Sequence, residues 1–135
     1  MDILPTVLEL AGVTHPGTTF QGRTVMQPRG KSWVPHLRSH EPIHDECQDF
    51  TGWERFGERA IRRGNYKAVY IPKGPPPGET KWELYDLMQD NGELKDLARE
   101  KPNILKELIE LWFKYGNETG VIVSPDPYEV RYHGL

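Results

Sequence analysis

The sequence predicts an α+β fold in which a small antiparallel sheet packs on one C-terminal helix. Two runs of alternating apolar and polar residues flank Gly64-Asn65 and predict a hairpin over about 59–71. A third alternating run predicts a strand over about 82–87. An apolar stripe at helical spacing predicts a helix over about 102–116. Short helices are expected to precede these elements.

The first predicted helix covers about residues 2–12, with Asp2 as the N-cap, Pro5 in the first turn and Gly12 as the stop. Its apolar residues occupy more than one helical face, namely Ile3, Leu4, Val7, Leu8, Leu10 and Ala11. We therefore expect this helix to be buried on most sides, so that another part of a protein has to cover it.

The segments that follow are dominated by structure breakers. Residues 13–30 are predicted to be a loop, and 41–52 to be polar and irregular. Between them, Ser32 caps a second short helix that Pro42 prevents from continuing.

Two more segments flank or follow the later elements. The proline-rich connection over 72–80 is expected to be a stiff loop, and the tail from Ser124 to be extended. The C-terminal helix starts at Pro102, and Gly116 or Gly120 ends it.

Composition excludes several classes of protein. The chain has 135 residues and a net charge of −3, without the basic excess of a general nucleic-acid binder. No apolar run reaches the roughly 18 residues of a membrane span, and the first residues show no signal-peptide pattern. Cys47 is the single cysteine, which excludes an internal disulfide and a cysteine-rich zinc site.

Three histidines, His36, His40 and His44, recur at a spacing of four residues. On one continuous helix they would share a face that could hold zinc. Pro42 interrupts that helix, which favours a polar surface loop instead.

Cys47 and the pair Asp90-Asn91 are further candidates for chemistry. No helix N-terminus, glycine-rich elbow or evident base accompanies the thiol, which favours an inert cysteine. Two adjacent oxygen ligands are too few for calcium, which takes about 6–8, so turn chemistry explains Asp90-Asn91 better.

A basic cluster surrounds the predicted hairpin and comprises Arg55, Arg59, Arg62, Arg63 and Lys67. Strand periodicity puts Arg59, Ile61 and Arg63 on one face, and Ala60 and Arg62 on the other. The cluster is either a solvated sheet face or an edge that faces an anion such as sulfate or phosphate.

The aromatic residues also allow two interpretations. They could line a pocket for a sugar or an aromatic ligand, but their positions on periodic elements favour core packing. These residues are Trp53, Trp82, Tyr85 and Trp112. Asn117-Glu118-Thr119 fits a glycosylation sequon. The residues themselves therefore give no complete catalytic, cofactor-binding or metal-binding set.

The order of several segments resembles the C-terminal part of sulfatases, in the arylsulfatase branch of the alkaline-phosphatase-like superfamily. Residues 2–12 resemble the sulfatase segment D-x-x-P-T-x-x-x-L-A-G, and the most specific similarity covers 52–70. Further similar segments follow in family order over 22–25, 30–37, 82–87, 92–93, 96–98 and 108–120. The resemblance covers about 2–122, which is nearly the whole chain.

This resemblance implies an incomplete enzyme. Sulfatases hydrolyse sulfate esters with a calcium ion and a formylglycine made from a C-x-P-x-R or S-x-P-x-R motif, and both lie in the N-terminal part. Cys47 lacks the proline two residues later and the arginine four residues later. We therefore assign no catalytic, cofactor-binding or metal-binding residue to this chain, and we expect it to be inactive alone.

The resemblance also implies a domain organisation. Residues 1–45 would be the tail of the catalytic α/β domain, 46–122 the C-terminal subdomain, and 123–135 an extended tail. The expected partner is the absent catalytic domain, with self-association through helix 2–12 as a second expectation.

The resemblance leaves three functional hypotheses. The chain is a fragment that completes the structure and active-site border of an arylsulfatase-like enzyme, a free-standing binding module, or a fragment of a related phosphate or phosphonate monoester hydrolase.

Overall fold

The computed structural model describes residues 1–72 and 81–122, which form two compact units. The first unit comprises Met1–Asp45, and the second begins at Glu46. Most of the predicted stiff loop over 72–80, and the whole of the predicted extended tail over 123–135, lie outside the described residues.

The first unit contains two short helices, α1 over Ile3–Leu10 and α2 over Val34–Ser39. Helix α1 is followed by its C-cap residue Ala11 and then by Gly12, which has a φ of 65°. The amide of Gly12 donates to the carbonyl of Glu9, and that of Val13 donates to Leu8. This pair of bonds is a Schellman motif, so the prediction that Gly12 ends the helix is confirmed.

A small hairpin interrupts the predicted loop over 13–30. Strands β1 (Thr19–Phe20) and β2 (Arg23–Thr24) pair antiparallel. The turn residues Gln21 and Gly22 both have positive φ, 49° and 76°, which suits the tight turn of a two-residue hairpin. The prediction of a plain loop is wrong here because strands of two residues are too short for an alternating pattern.

The second unit is built on a four-stranded antiparallel sheet in the order β3-β4-β5-β6. Its strands are Phe50–Arg55, Glu58–Arg63, Tyr66–Tyr70 and Trp82–Asp86. Gly64, with a φ of 58°, opens the turn between β4 and β5. The predicted hairpin and the predicted strand over 82–87 are therefore confirmed.

Strand β3 corrects the prediction of an irregular segment over 41–52 and of a three-stranded sheet. Apolar residues lie on both faces of β3, because Phe50 and Trp53 point to opposite sides. The strand therefore lacks the alternation by which β4 and β5 were predicted. Phe56 and Gly57, both with positive φ, turn the chain into β4.

Helix α3, Pro102–Thr119, packs on one face of this sheet. The core lies between them and consists of Ile61, Ala68, Leu84, Leu97, Leu108 and Trp112. The helix passes through the buried Gly116 and ends at Gly120, whose φ of 72° is left-handed. The prediction named Gly116 or Gly120 as the end of this helix, and the structure shows that Gly120 is the correct one.

The segment after β6 protects the free edge of that strand. The Asp96 carboxylate accepts the backbone N–H groups of Leu84 and Ala98, and the Leu97 amide donates to the Leu84 carbonyl. Burial opposes ionisation of this carboxyl, but the Lys81 ammonium and the two amides hold the pKa of Asp96 below its ordinary value. These contacts leave Leu84 unavailable for pairing with another strand.

Candidate functional site

The three histidines do not converge on one point. The rings of His36 and His40 lie edge to face with their centres 6.0 Å apart, whereas His44 contacts Asp2. Helix α2 ends at Ser39, and His40 takes a left-handed φ of 59°. His36 Nδ1 lies 3.0 Å from the Glu41 carbonyl, whereas His44 Nε2 lies 2.8 Å from Asp2 Oδ2. The interpretation of this region as a polar loop is therefore preferred over a zinc site.

Across residues 1–72 and 81–122, no group of three or more His, Cys, Asp or Glu side chains could hold a metal ion. These described residues therefore do not supply a His, Cys, Asp and Glu cluster for the calcium ion that the family resemblance implies. Cys47 is an exposed thiol before β3. No helix in the described part is long and apolar enough to cross a bilayer.

Asp90 has the role of a turn residue. Its Oδ2 accepts the amide N–H groups of Leu94 and Lys95 at 2.7 and 2.8 Å. The carbonyl of Asp90 also accepts the amide of Glu93. These three bonds are those of a turn residue.

The basic cluster is divided between the two sheet faces, as strand periodicity predicts. Arg63 pairs with Glu107 of α3 at 2.7 Å, so it lies on the helix-covered face. Arg62 donates to the Gly64 carbonyl from the opposite face, where Lys67 pairs with Glu93. The cluster therefore does not form one continuous cationic surface.

Arg59 departs from the expectation of a solvated face. Its guanidinium carbon lies 4.7 Å from the ring centre of Tyr70 and 4.9 Å from that of Trp112. The Nε atom is buried and has no hydrogen-bond partner among the described residues. Arg59 is thus mainly a packing residue whose guanidinium is held between aromatic rings.

Core packing is confirmed for most of the aromatic residues. Trp112 is 1% exposed, and Trp82 packs against it with ring centres 5.9 Å apart. Tyr85 is buried and donates to Glu83, and burial together with that carboxylate raises the pKa of the phenol. Trp53 is the exception, because about half of its side chain is exposed.

The sequon Asn117-Glu118-Thr119 forms the last turn of α3. All three residues are exposed, and the Thr119 hydroxyl donates to the Tyr115 carbonyl at 2.7 Å.

Asp2 organises the first unit in a way that sequence reasoning missed. Its side chain does not cap α1. Instead, Oδ1 accepts the Lys31 amide at 3.0 Å, and Oδ2 accepts the Trp33 indole N–H at 3.3 Å and contacts His44 at 2.8 Å. The His44 hydrogen bond is the largest influence on the Asp2 carboxyl and holds its pKa below the ordinary value.

Thr6 and Gly30 complete this arrangement. The Thr6 hydroxyl donates to the Asp2 carbonyl and accepts the Trp33 amide at 2.9 Å. A Cβ atom at Gly30 would collide with the Met1 carbonyl, so only glycine allows this close approach. The Asp and Thr of the D-x-x-P-T segment thus fix the start of α1 to the chain before α2.

The apolar face of α1 remains uncovered within the first unit. No residue of α1 is buried, and Ile3 is 80% exposed. Leu4, Val7 and Leu10 each expose at least half of their side chains. An external cover for this helix therefore stays a prediction.

Comparisons with known proteins point to one family. The chain is 57% identical over all 135 residues to an uncharacterized sulfatase of Schizosaccharomyces pombe, of which it covers 24%. It is 28% identical over 134 residues to human arylsulfatase A, with 82% of this chain and 25% of that protein covered. It thus spans about a quarter of the length of these relatives, at the C-terminal part. No protein-family model matches the chain.

A solved structure shares the fold. A Bacteroides thetaiotaomicron protein, described in the context of glycosaminoglycan metabolism, superimposes with a TM-score of 0.63 at 19% sequence identity. The match covers 86% of this chain and 24% of that protein.

Proposed function

We propose that this chain, which is a C-terminal segment of a protein of the sulfatase family, completes the structure and the active-site border of a larger sulfuric ester hydrolase. The observation that carries this proposal is the similarity of the entire chain to one quarter of a sulfatase. That similarity spans both units rather than the sheet alone, which supports the proposal.

The chemistry of the described residues agrees with a structural role. Asp2, Arg59 and Asp96 are engaged in internal hydrogen bonds or ring contacts. The histidines do not converge, and no carboxylates form a metal-binding group in residues 1–72 and 81–122. A nucleophile and its activating groups would therefore come from another part of the enzyme.

We further propose that the complete enzyme is arylsulfatase-like. Support comes from the similarity of 82% of this chain to human arylsulfatase A and from the segments over 2–12 and 52–70. Sulfate monoesters of phenols are the substrates that test this assignment most simply.

The proposal predicts a difference in activity between two proteins. The 135-residue chain should give no hydrolysis of p-nitrophenyl sulfate above a control without protein. The full reading frame that contains this chain should hydrolyse it, and deletion of these residues should abolish that activity. Release of p-nitrophenol, followed by absorbance, is the measurement.

The same assay with p-nitrophenyl phosphate provides the control for reaction class. Preference of the full protein for the phosphate ester would contradict the sulfatase assignment and favour a related phosphate hydrolase. Turnover by the 135-residue chain itself would contradict the structural role.

A further inference from the structure

Arg59 has hydrogen-bonding capacity that its surroundings do not use. A guanidinium carries five N–H donors. Within residues 1–72 and 81–122, the contacts of this side chain are those with the rings of Tyr70 and Trp112, and no hydrogen bond or ion pair is added to them. The Nε atom is buried as well as unpartnered. Because a buried donor without an acceptor costs free energy, such a group calls for an acceptor in the functional state.

The carboxylate on the neighbouring strand is engaged elsewhere. Glu54 lies directly opposite Arg59 in the pairing of β3 with β4, so both side chains lie on the same face of the sheet. Glu54 Oε1 nevertheless accepts the Gly57 amide at 2.9 Å, and it forms no ion pair with Arg59 in the described part of the chain.

Arg63 shows what an internally satisfied arginine of this strand is like. It lies two residues after Arg59 on the same face of β4, and its Nη2 atom pairs with Glu107 of α3 at 2.7 Å. Two arginines of one strand and one face therefore differ, because Arg63 has a carboxylate of this chain as its partner and Arg59 has aromatic rings.

Aromatic packing holds the guanidinium of Arg59 in one place. The ring of Trp82 lies 5.5 Å from that of Tyr70 and 5.9 Å from that of Trp112, so it supports both rings that contact Arg59. A donor that is already oriented loses less conformational freedom on binding than a flexible one does. The planar fork of a guanidinium matches two oxygen atoms of a sulfate, phosphate or carboxylate group.

We propose that Arg59 forms an oxyanion-binding site at this end of the sheet, with Tyr70 and Trp112 holding the guanidinium. The ligand is a sulfate, phosphate or carboxylate group that accepts N–H groups of Arg59, either as a free anion or as part of a sugar. The site goes beyond the proposed function, because it binds without a nucleophile or a metal ion. Of the basic cluster around the hairpin, Arg59 is then the member that faces an anion.

Fluorine NMR of the full protein tests this site without reference to catalysis. In protein labelled with 5-fluorotryptophan, the resonance of Trp112 is assigned by its loss in Trp112→Phe. Sodium sulfate should shift this resonance in a saturable manner, and sodium chloride at equal ionic strength should not, because Trp112 contacts the guanidinium that binds sulfate. Arg59→Lys should weaken sulfate binding about tenfold or more, since an ammonium cannot form the fork. Arg63→Lys is the matched control and should leave the titration unchanged.

A sugar sulfonate distinguishes the two sources of the anion, because its carbon–sulfur bond resists ester hydrolysis. A tighter response to glucose 6-sulfonate than to sulfate would support an anionic group carried by a sugar, and a tighter response to sulfate would support a free anion. The absence of a shift with either probe in the full protein would overturn the proposal, since another acceptor would then occupy Arg59. A sulfate response that Arg59→Lys leaves intact would also overturn it. If Arg59→Lys does not fold, the titration of the unsubstituted protein decides. A sulfate-dependent shift in a protein that does not hydrolyse p-nitrophenyl sulfate would contradict the proposed function alone.

Discussion

Replacing Trp112 with alanine should lower the free energy of unfolding of the second unit by about 3–5 kcal/mol, the usual cost of removing a buried tryptophan side chain. The indole is 1% exposed and contacts the ring of Trp82 and the guanidinium of Arg59. Its N–H also donates to the Trp53 carbonyl at 3.2 Å, which links α3 to β3. Urea denaturation followed by far-UV circular dichroism measures the loss.

Phe113 provides the matched control for this substitution. It is the next residue of α3, and its ring packs on Trp112, but it is 53% exposed. Phe113→Ala should therefore cost well under half as much as Trp112→Ala, because it removes far less buried apolar surface. Equal costs would mean that Trp112 is not the centre of this core.

Gly52→Ala should destabilise the second unit by about 1–3 kcal/mol through overpacking. A Cβ atom at this position would lie 2.6 Å from the Tyr115 ring, so strand and helix would have to move apart. In a strand without such a neighbour, the same change would stabilise by roughly 0.5–1 kcal/mol, so the sign of the effect is decisive.

A double-mutant cycle with Tyr115→Ala identifies the cause of this destabilisation. With the ring removed, Gly52→Ala should lose most of its cost, since the collision is specific to that side chain. The same unfolding measurement serves all four proteins of the cycle. A cost that is unchanged in the Tyr115→Ala background would show that backbone strain, rather than the aromatic ring, determines the effect.

The elements that could be predicted are those with a strong local pattern. Gly64-Asn65 lies between two alternating runs, and the stripe from Ile104 to Tyr115 has helical spacing, so the β4–β5 hairpin and α3 followed from the residues. Strand β3 has apolar residues on both faces and a glycine, Gly52, in its interior. That pattern has no period, and only the pairing with β4 shows it to be a strand.

The role of Asp2 could not be predicted for a different reason. As a residue before a helix, it has the local signature of an N-cap. Its actual partners, Lys31 and His44, are 29 and 42 positions away along the chain. Arg59 is similar, because its position between Tyr70 and Trp112 depends on how α3 lies on the sheet. Contacts between distant segments are determined by tertiary packing, which local spacing does not encode.

The mass of the protein in its source cells tests the central claim most directly. An antibody against residues 52–70 detects the polypeptide that contains this segment on an immunoblot. Mass spectrometry of the protein captured by the same antibody then gives its intact mass. Because the chain of 15.6 kDa covers 24% of its fission-yeast relative, we expect one species of about four times that mass. A single species at 15.6 kDa would contradict the account, since the chain would then exist without the remainder of a sulfatase.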